Sequence, residues 1–431
     1  MRFLFVTPSY KPFIGGAQTF QHAMAQRLVA DSHQVTILTT NARQASDFWL
    51  PPSATAIPLP QQEILDGVVI ERLALAYPRP SPYAFGLLRR GGHWLHRSGL
   101  PAGIRCPLLR RLAHWMPPLL GLEAALDRLV PQADLIQAAD SSWDGLFVAA
   151  AGTVRRCRKP LIAIPFMHLG NASVTAHFQM AHQVDVYCNA TAVLALSWQE
   201  ADVFAGLGVL PSRVHIIRMG IEPTLPILLW ALDGTEFRRR HNLTGQIVAF
   251  LGANTYDKGA FTLVQAVARL NLTGLRVELV CAGPQSDRLA AFLRQQPEEI
   301  QAALRGRVHL LGLVDEQTKH QLLAACDLLA LPSHVDTFGI VLLEAWLHGK
   351  PVIGAKAGGI PDLVQPEETG LLVSFGDVTA LTAAIRQLLT EPKLAAQLGA
   401  AGRQQVLRRY TWDQTYQTLL RVYTAVLAGD R

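Results

Sequence analysis

Residues 331–345 read LPSHVDTFGIVLLEA, in which an apolar run ends at Leu331 and a helical pattern follows Gly339. Asp336 lies in the connecting loop, and Glu344 lies about a turn and a half into the predicted helix. Carboxylates accept hydrogen bonds from vicinal hydroxyls, and the first N–H groups of a helix favour a phosphate. The stretch therefore predicts a site for a sugar or ribose with a diphosphate on the N–H groups of residues 338–340. The alternative is that Glu344 is a helix-face residue and Asp336 a loop cap.

Strands and helices alternate along most of the chain. Short β-branched or apolar runs, each followed by turn residues or a helical pattern, occupy 3–6, 35–39, 134–138, 161–164 and 192–196. A second series of such runs occupies 247–251, 276–281, 308–311, 328–331 and 351–353. This alternation predicts two doubly wound α/β domains with parallel sheets.

We place the domain boundaries by the Pro-rich join near residue 222 and by the last strand. Residues 1–222 form the predicted N-terminal domain, and residues 223–405 form the predicted C-terminal domain. We expect the final helix, within 406–431, to return to the N-terminal domain.

Composition and charge limit the classes of function. The chain has 431 residues, of which 50% are hydrophobic and 17% charged, which fits a folded enzyme of two domains and excludes a disordered or fibrous chain. The net charge of +6 favours anionic partners, such as nucleotide phosphates or acidic lipids. No nucleic-acid-binding motif accompanies this charge, so we expect no nucleic-acid partner.

Cysteine spacing and hydropathy predict the compartment. The five cysteines lie far apart and lack metal-ligand spacing, as expected of reduced thiols in the cytoplasm. No run of 18 or more apolar residues and no signal-peptide pattern is seen, so we expect no membrane span.

The segment 77–122 departs from the α/β pattern and resembles an insertion. It contains seven prolines, two tryptophans and many arginines and leucines, without a clean strand. Basic amphipathic stretches such as 108–120 can lie in a membrane interface, which would place the protein on the inner face of the cell membrane. The alternative is a helical flap over the domain.

Further candidate residues follow the ends of predicted strands, where doubly wound domains bind ligands. Gly15 and Gly16 begin the first helix, where they allow an anion to approach the backbone or simply form a tight turn. His168 can donate a hydrogen bond to a sugar hydroxyl or phosphate, although many histidines are structural. Lys258 can neutralise charge on a leaving nucleotide diphosphate.

These motifs together resemble glycosyltransferase family 4. The strongest piece is the acidic segment 332–345, followed by GKPVI at 349–353 and GGIPD at 358–362. Supporting pieces occur in the family's order at 10–17, 308–312, 325–328 and 368–373. The resemblance covers nearly the whole chain except 77–122.

The resemblance implies a retaining enzyme of GT-B architecture, in which two Rossmann-like domains face each other across a cleft. It also implies that 1–222 is the acceptor-side domain and 223–405 the nucleotide-sugar-binding domain. By this resemblance Glu344 holds the nucleotide ribose, Asp336 contacts the donor sugar and His168 lies against that sugar. The implied catalytic residues are His168, Asp336 and Lys258. The implied donor-binding residues are Gly15, Gly16, Lys258, Asp336, Thr337, Phe338, Gly339, Ile340 and Glu344.

Two departures from the family pattern matter for activity. The family's first acid is usually Glu, but Asp336 is one methylene shorter, and Ala253 stands where an Arg is common. They motivate an alternative, a catalytically weak nucleotide-sugar-binding or scaffolding subunit of a glycan-assembly system.

The expected reaction moves a hexose from a UDP- or GDP-linked donor to a glycan, a lipid-linked or another hydroxyl acceptor. No D-x-D-like pair follows a strand, so we expect neither a metal ion nor a cofactor. A nucleotide-sugar hydrolase or epimerase is the alternative among enzymes. An oxidoreductase is disfavoured because no G-x-G-x-x-G follows the first strand.

Overall fold

The computed structural model describes residues 1–53, 55, 57–77, 82–223 and 234–429. The chain divides into two compact units. The first unit contains Met1–Met167, Ala172–Arg218 and Thr415–Arg431, and the second contains His168–Asn171 and Met219–Gln414. Each unit is an α/β body around its own sheet, so the predicted fold class is confirmed.

The sheet of the first unit has eight strands in the order β3-β4-β2-β1-β5-β6-β7-β8. Every neighbouring pair is parallel except β3 and β4. The central strands are apolar runs because helices cover both faces of a parallel sheet. The strand bounds are β1 Arg2–Val6, β2 Gln34–Thr40, β3 Gln62–Leu65, β4 Val68–Leu73, β5 Leu135–Ala139, β6 Leu161–Ile164, β7 Ala192–Ala195 and β8 Val214–Ile216.

The helices of the first unit lie between these strands and in the segment 77–122. Their bounds are α1 Gly16–Ala30, α2 Pro82–Arg97, α3 Ala102–Ala113, α4 Leu122–Leu129, α5 Asp144–Cys157, α6 Ala172–Thr175, α7 Ala181–Asn189 and α8 Trp198–Gly206. Short 3₁₀ turns occupy Ala45–Phe48, Ala176–Phe178 and Pro211–Arg213. Within the segment 77–122, α3 buries Leu109 and Ala113 and packs against α5 and α7.

The sheet of the second unit has six parallel strands in the order β11-β10-β9-β12-β13-β14. The strand bounds are β9 Gln246–Leu251, β10 Val277–Ala282, β11 Val308–Gly312, β12 Leu328–Leu331, β13 Val352–Ala355 and β14 Leu371–Val373. The helix bounds are α9 Thr235–Arg240, α10 Ala260–Leu272, α11 Ser286–Arg294, α12 Glu298–Leu304, α13 Glu316–Ala325, α14 Ile340–Leu347, α15 Ile360–Leu363, α16 Val378–Thr390 and α17 Pro392–Arg409.

The last helix, α18 (Trp412–Ala428), forms side-chain hydrogen bonds to other segments of the first unit. Thr415 Oγ1 donates to the carbonyl of Arg218 at 3.0 Å, and Tyr416 donates its hydroxyl to Asp31 at 2.6 Å. Tyr423 donates its hydroxyl to Gln137 Oε1 at 2.6 Å. These bonds tie residues 415–423 to the first unit.

The hairpin β3–β4 is absent from the sequence-based prediction. Its turn is Asp66-Gly67, and both residues have positive φ, 52° and 78°. A two-residue turn of this kind matches the twist of antiparallel strands. The short strands β8 and β14, of three residues each, were also not predicted.

Among the described residues, no helix combines the length and the apolar composition that crossing a membrane requires.

Candidate active site

In the sheet of the second unit, β10 and β11 follow β9 toward one edge, and β12, β13 and β14 follow toward the other. The strand order therefore reverses between the neighbouring strands β9 and β12. The loop after β9 carries Lys258, and the loop after β12 carries Asp336. In doubly wound sheets the crevice at such a switch point is where ligands bind. The topology thus places these two predicted residues at the edge where a ligand is expected.

Lys258 and Asp336 form an ion pair. The Nζ atom of Lys258 lies 3.0 Å from Asp336 Oδ2 and donates to the carbonyl of Val335 at 2.8 Å. The Lys258 side chain is 29% exposed and that of Asp336 17%, so the pair remains accessible at one side. An ammonium held in this way can turn toward a phosphate once one is present.

His168 belongs to the same cluster. It is part of the second unit, and its Nδ1 lies 3.2 Å from the hydroxyl of Thr337. Burial and the charge of Lys258 lower the pKa of His168 to about 4, although Asp336 opposes this shift. The imidazole is therefore neutral at pH 7, which suits a hydrogen bond to a sugar hydroxyl better than ionic contact with a phosphate.

Two glycines allow this cluster to form, because neighbouring backbone lies where a side chain would be. At Gly170, with φ of 101°, a Cβ would lie 1.9 Å from the carbonyl oxygen of His334. At Gly358, with φ of 59°, a Cβ would lie 2.1 Å from that of Asp336. Gly359 donates its N–H to the same Asp336 carbonyl at 2.9 Å. The glycine-rich loop 357–360 therefore supports the acidic loop through backbone contact.

The helix that follows Asp336 starts later than predicted. It begins at Ile340, with Gly339 as N-cap at φ of 87°, and no side chain caps it. Phe338 precedes the helix, and its N–H donates to Asp336 Oδ1 at 3.2 Å. The prediction that the Phe338 N–H lies in the first helical turn is therefore wrong, because the helix begins two residues later and the side chain of Asp336 accepts this N–H. Gly339 and Ile340 keep their predicted place at the helix start.

Glu344 is buried on α14 and pairs with a lysine that the sequence did not indicate. Lys319 Nζ, on α13, donates to Glu344 Oε1 at 2.7 Å and also to Glu316. Glu344 Oε2 is buried and has no hydrogen-bond partner among the described residues. Burial raises the pKa of Glu344, and Lys319 opposes that rise. An unpaired buried carboxylate oxygen is unfavourable, and a hydroxyl donor from a ligand would satisfy it.

The first βα loop lies in the first unit. Gly15 precedes α1 in extended backbone, and no side chain caps this helix. The loop is held by Tyr10, whose hydroxyl lies 2.6 Å from His22 Nδ1, while His22 Nε2 lies 3.1 Å from Asp66. Gly15 and Gly16 thus stand at an uncapped helix start, as the anion-binding interpretation requires.

Within the second unit, the structure brings together His168, Lys258, Asp336 and Thr337. Glu344 lies four residues after Ile340, in contact with Lys319. Lys319 is the residue that the sequence reasoning missed. Its spacing from Glu316 on one helix gives only the signal of an exposed i,i+3 pair, so nothing in the sequence indicates Glu344 as the second partner.

Comparison with protein families matches both units. The family described as Glycosyl transferases group 1 matches residues 234–405, and the family described as Glycosyltransferase Family 4 matches residues 14–225. Together the two matches leave out only the first 13 residues, a short join and the C-terminal end. The acidic segment 332–345 falls inside the first match, and Gly15 and Gly16 fall inside the second.

Curated relatives include several named glycosyltransferases. A glycogen synthase from Mycobacterium tuberculosis is 26% identical over 452 residues, which cover 100% of this chain and 96% of that protein. An α-maltose-1-phosphate synthase from Mycolicibacterium smegmatis is 31% identical over 228 residues, 51% of this chain and 58% of that protein. A D-inositol 3-phosphate glycosyltransferase 1 from Catenulispora acidiphila is 26% identical over 97% of this chain and 92% of its own length.

Solved structures share the fold. Anabaena HepE in complex with UDP has a TM-score of 0.70 at 21% identity, covering 99% of this chain and 100% of the other. Sucrose-phosphate synthase from Thermosynechococcus elongatus also has a TM-score of 0.70 at 21% identity, covering 100% of both chains. These neighbours confirm the predicted GT-B fold class, and with the two family matches they establish that this chain is a glycosyltransferase that belongs to glycosyltransferase family 4.

Proposed function

We propose that the protein is a retaining hexosyltransferase that uses a UDP- or GDP-linked donor and a glycan, lipid-linked or other hydroxyl acceptor, without a metal ion. The observation that carries this proposal is the cluster of His168, Lys258 and Asp336 at the strand switch point. It combines one cation for a phosphate with a neutral imidazole and a carboxylate for sugar hydroxyls. Solved structures of similar fold contain UDP and UDP-glucose, which supports a nucleotide-diphosphate donor.

In the proposed reaction, the acceptor hydroxyl oxygen attacks the anomeric carbon from the face on which the leaving group departs. The bond from that carbon to the phosphate oxygen breaks, and its electron pair leaves with the nucleotide diphosphate. The hydroxyl proton passes to the departing phosphate oxygen. Such a route needs stabilisation of the leaving charge more than a protein nucleophile, which is the role proposed for Lys258 and the uncapped N-terminus of α14.

Glu344 would bind the ribose of the donor. Its Oε1 is held by Lys319, so its buried Oε2 is the atom that remains to accept a hydroxyl hydrogen. Gly15 and Gly16 are proposed to meet the diphosphate through backbone N–H groups.

The test is a transfer assay with UDP- and GDP-linked hexoses and a panel of hydroxyl acceptors, with and without EDTA. We expect transfer to one acceptor class, a product anomer of the same configuration as the donor, and a rate unchanged by EDTA. Loss of transfer on chelation would contradict the metal-independent mechanism. Release of free hexose without acceptor would favour a hydrolase, and nucleotide binding without turnover would favour a binding subunit.

We also propose that the segment 77–122 contacts an anionic membrane. The exposed face of α2 carries Leu87 and Trp94, which are 66% and 74% exposed, together with Arg90 and Arg97. Helix α3 and the turn after it expose Ile104, Leu108, Arg111 and Trp115. No Asp or Glu occurs between Glu71 and Glu123. Exposed apolar side chains among arginines fit the interface of an acidic bilayer.

Vesicle binding tests this contact. The double variant Leu87→Ser and Trp94→Ser should bind phosphatidylglycerol vesicles at least about tenfold more weakly than wild type, since each removed side chain loses roughly 1.5–3 kcal/mol of burial. Leu313→Ser is the control, because Leu313 is 78% exposed in the second unit. Equal binding to phosphatidylcholine vesicles, or equal loss in both variants, would contradict an anionic-membrane face.

A further inference from the structure

A cluster of basic side chains in the first unit has no role in the proposed reaction. It consists of Arg89 and His93, one turn apart on α2, and His177 in the turn Ala176–Phe178. The rings of His93 and His177 lie 4.3 Å apart at an angle of 53°. We refer to these three residues as the basic cluster.

The polar atoms of the basic cluster are incompletely paired. His93 Nε2 and His177 Nδ1 are both buried, and neither has a hydrogen-bond partner in the described part of the chain. The same ranges show no hydrogen bond or ion pair to the guanidinium of Arg89. His177 also has a hydrogen bond with the backbone of Ser173. Buried polar atoms are usually paired, so unpaired nitrogens on adjacent side chains indicate a missing ligand partner.

The electrostatics around the basic cluster are positive. Burial lowers the pKa of His93, and Arg89 and Arg97 lower it further. Burial, together with the charges of Arg89 and His93, lowers the pKa of His177 to about 4, although a hydrogen bond with the backbone of Ser173 opposes the shift. Both imidazoles are therefore neutral at pH 7 beside the Arg89 cation, and a bound anion would favour their protonated form, in which both ring nitrogens donate.

Burial lowers the pKa of the Arg89 guanidinium, and the negative charge of Asp144 opposes this shift. Asp144 is already engaged, because its Oδ2 lies 2.5 Å from His182 Nε2 and both side chains are almost fully buried. Because Asp144 is shared with His182, its carboxylate neutralises only part of the positive charge of Arg89.

The position of the basic cluster fits a ligand site. Strands β5 and β6 are parallel neighbours, so their carboxyl ends lie at one edge of the sheet. Asp144 starts the helix that follows β5, and His177 lies in the connection that follows β6. That edge is where doubly wound sheets bind ligands.

We propose that the basic cluster binds a phosphate-type anion carried by the acceptor substrate. This inference rests on the proposed transfer reaction and deepens it, because it assigns the acceptor to the phosphorylated class. A guanidinium binds a phosphate through two parallel N–H bonds, and an imidazole nitrogen that carries its proton adds another donor. The phosphate could belong to a soluble sugar phosphate or to a lipid-linked glycan, which share this chemistry.

Two arginines adjacent in sequence make the experiment specific. Arg89→Gln and Arg90→Gln remove the same charge from the same helix, but Arg90 is exposed and outside the basic cluster. Binding of a hexose 6-phosphate and of the unphosphorylated hexose is measured by calorimetry on the full chain. Titrations are done with and without UDP or GDP, so that an anion bound at the donor site does not enter the comparison. Mixed micelles containing a polyprenyl phosphate form the lipid arm.

We expect wild type to bind one of the phosphorylated probes and not the free hexose. In the soluble arm the dissociation constant should rise at least about tenfold in Arg89→Gln and less than about twofold in Arg90→Gln. In the micelle arm Arg90 belongs to the face proposed to contact a membrane, so Arg158→Gln, at an exposed position in the same unit, replaces it as the paired arginine variant with the same limit. His177→Gln, which keeps a polar side chain, should weaken the same probe and leave UDP or GDP binding unchanged. Absence of phosphate-dependent binding in wild type in both arms, or equal weakening in the two arginine variants, would overturn the proposal. If the proposed transfer reaction itself is wrong, wild type will show no nucleotide binding or no turnover, and this result does not depend on the phosphate-binding measurements.

Discussion

Replacing Lys258 by alanine is expected to lower kcat by about two to three orders of magnitude, the cost of removing one preorganised donor to a leaving oxyanion. Among the residues that the structure describes, its ammonium bonds only to the carboxylate of Asp336 and the carbonyl of Val335, so it is held at the strand switch point in position for a phosphate. Because the leaving charge is largest in the transition state, kcat should fall more than the KM for the donor changes. Steady-state kinetics with the donor found in the transfer assay measures both constants.

Lys393→Ala is the matched control for this variant. Lys393 is exposed at the start of α17 in the same unit, and its replacement should leave kcat within about twofold, as for most surface substitutions. Melting temperatures of both variants exclude a general loss of folding. If the Lys258→Ala variant keeps a third or more of the wild-type kcat, Lys258 does not stabilise the leaving diphosphate, and the proposed mechanism is contradicted.

The fold was predictable where a single physical signal dominates. Strands of a parallel sheet that are buried on both faces are continuous apolar runs, and the predicted strand bounds agree with the observed ones to within two residues. The hairpin β3–β4 was missed although the Asp66-Gly67 dipeptide between β-prone residues is a recognisable turn signal. Strands β8 and β14 have three residues each, too few for any periodic pattern.

The site was predictable at the level of strand ends and not at the level of individual hydrogen bonds. That Lys258 and Asp336 meet follows from strand topology, because β9 and β12 are parallel neighbours whose carboxyl ends lie at one edge. His168 follows a strand of the other sheet, so its contact with Thr337 does not follow from that topology. That Asp336 accepts the N–H of Phe338 depends on its short side chain, which reaches the backbone two residues ahead, as aspartates do in turns. That Lys319 reaches Glu344 depends on packing between residues 25 positions apart, which one sequence does not indicate.

Replacing Glu344 by alanine is expected to weaken binding of the donor nucleotide about one hundredfold, because hydrogen bonds from ribose hydroxyls to a buried carboxylate contribute roughly 1.5–3 kcal/mol. A nucleotide at 100 times its Kd stabilises wild type by about 2.7 kcal/mol, and the same concentration should stabilise the variant by only about 0.4 kcal/mol. Thermal unfolding with UDP and GDP measures this difference. Glu316→Ala is the control, because Glu316 is the exposed partner of the same Lys319, with 72% of its side chain accessible, and its loss should leave binding within about twofold.

Stability without nucleotide separates a binding role for Glu344 from a structural one. Burial raises the pKa of Glu344 above its unfolded value, so the folded state disfavours the ionised form. The contribution of such a group to stability is present at pH below the unfolded pKa and is lost as the pH rises through the folded pKa. Glu344→Gln, which keeps the shape and removes the charge, should therefore be at least as stable as wild type at pH 7 when no nucleotide is bound, yet should bind nucleotide about tenfold more weakly. A Gln variant that is less stable without ligand and binds nucleotide normally would show that the carboxylate serves the packing of α14 against α13, and the ribose assignment would then be wrong.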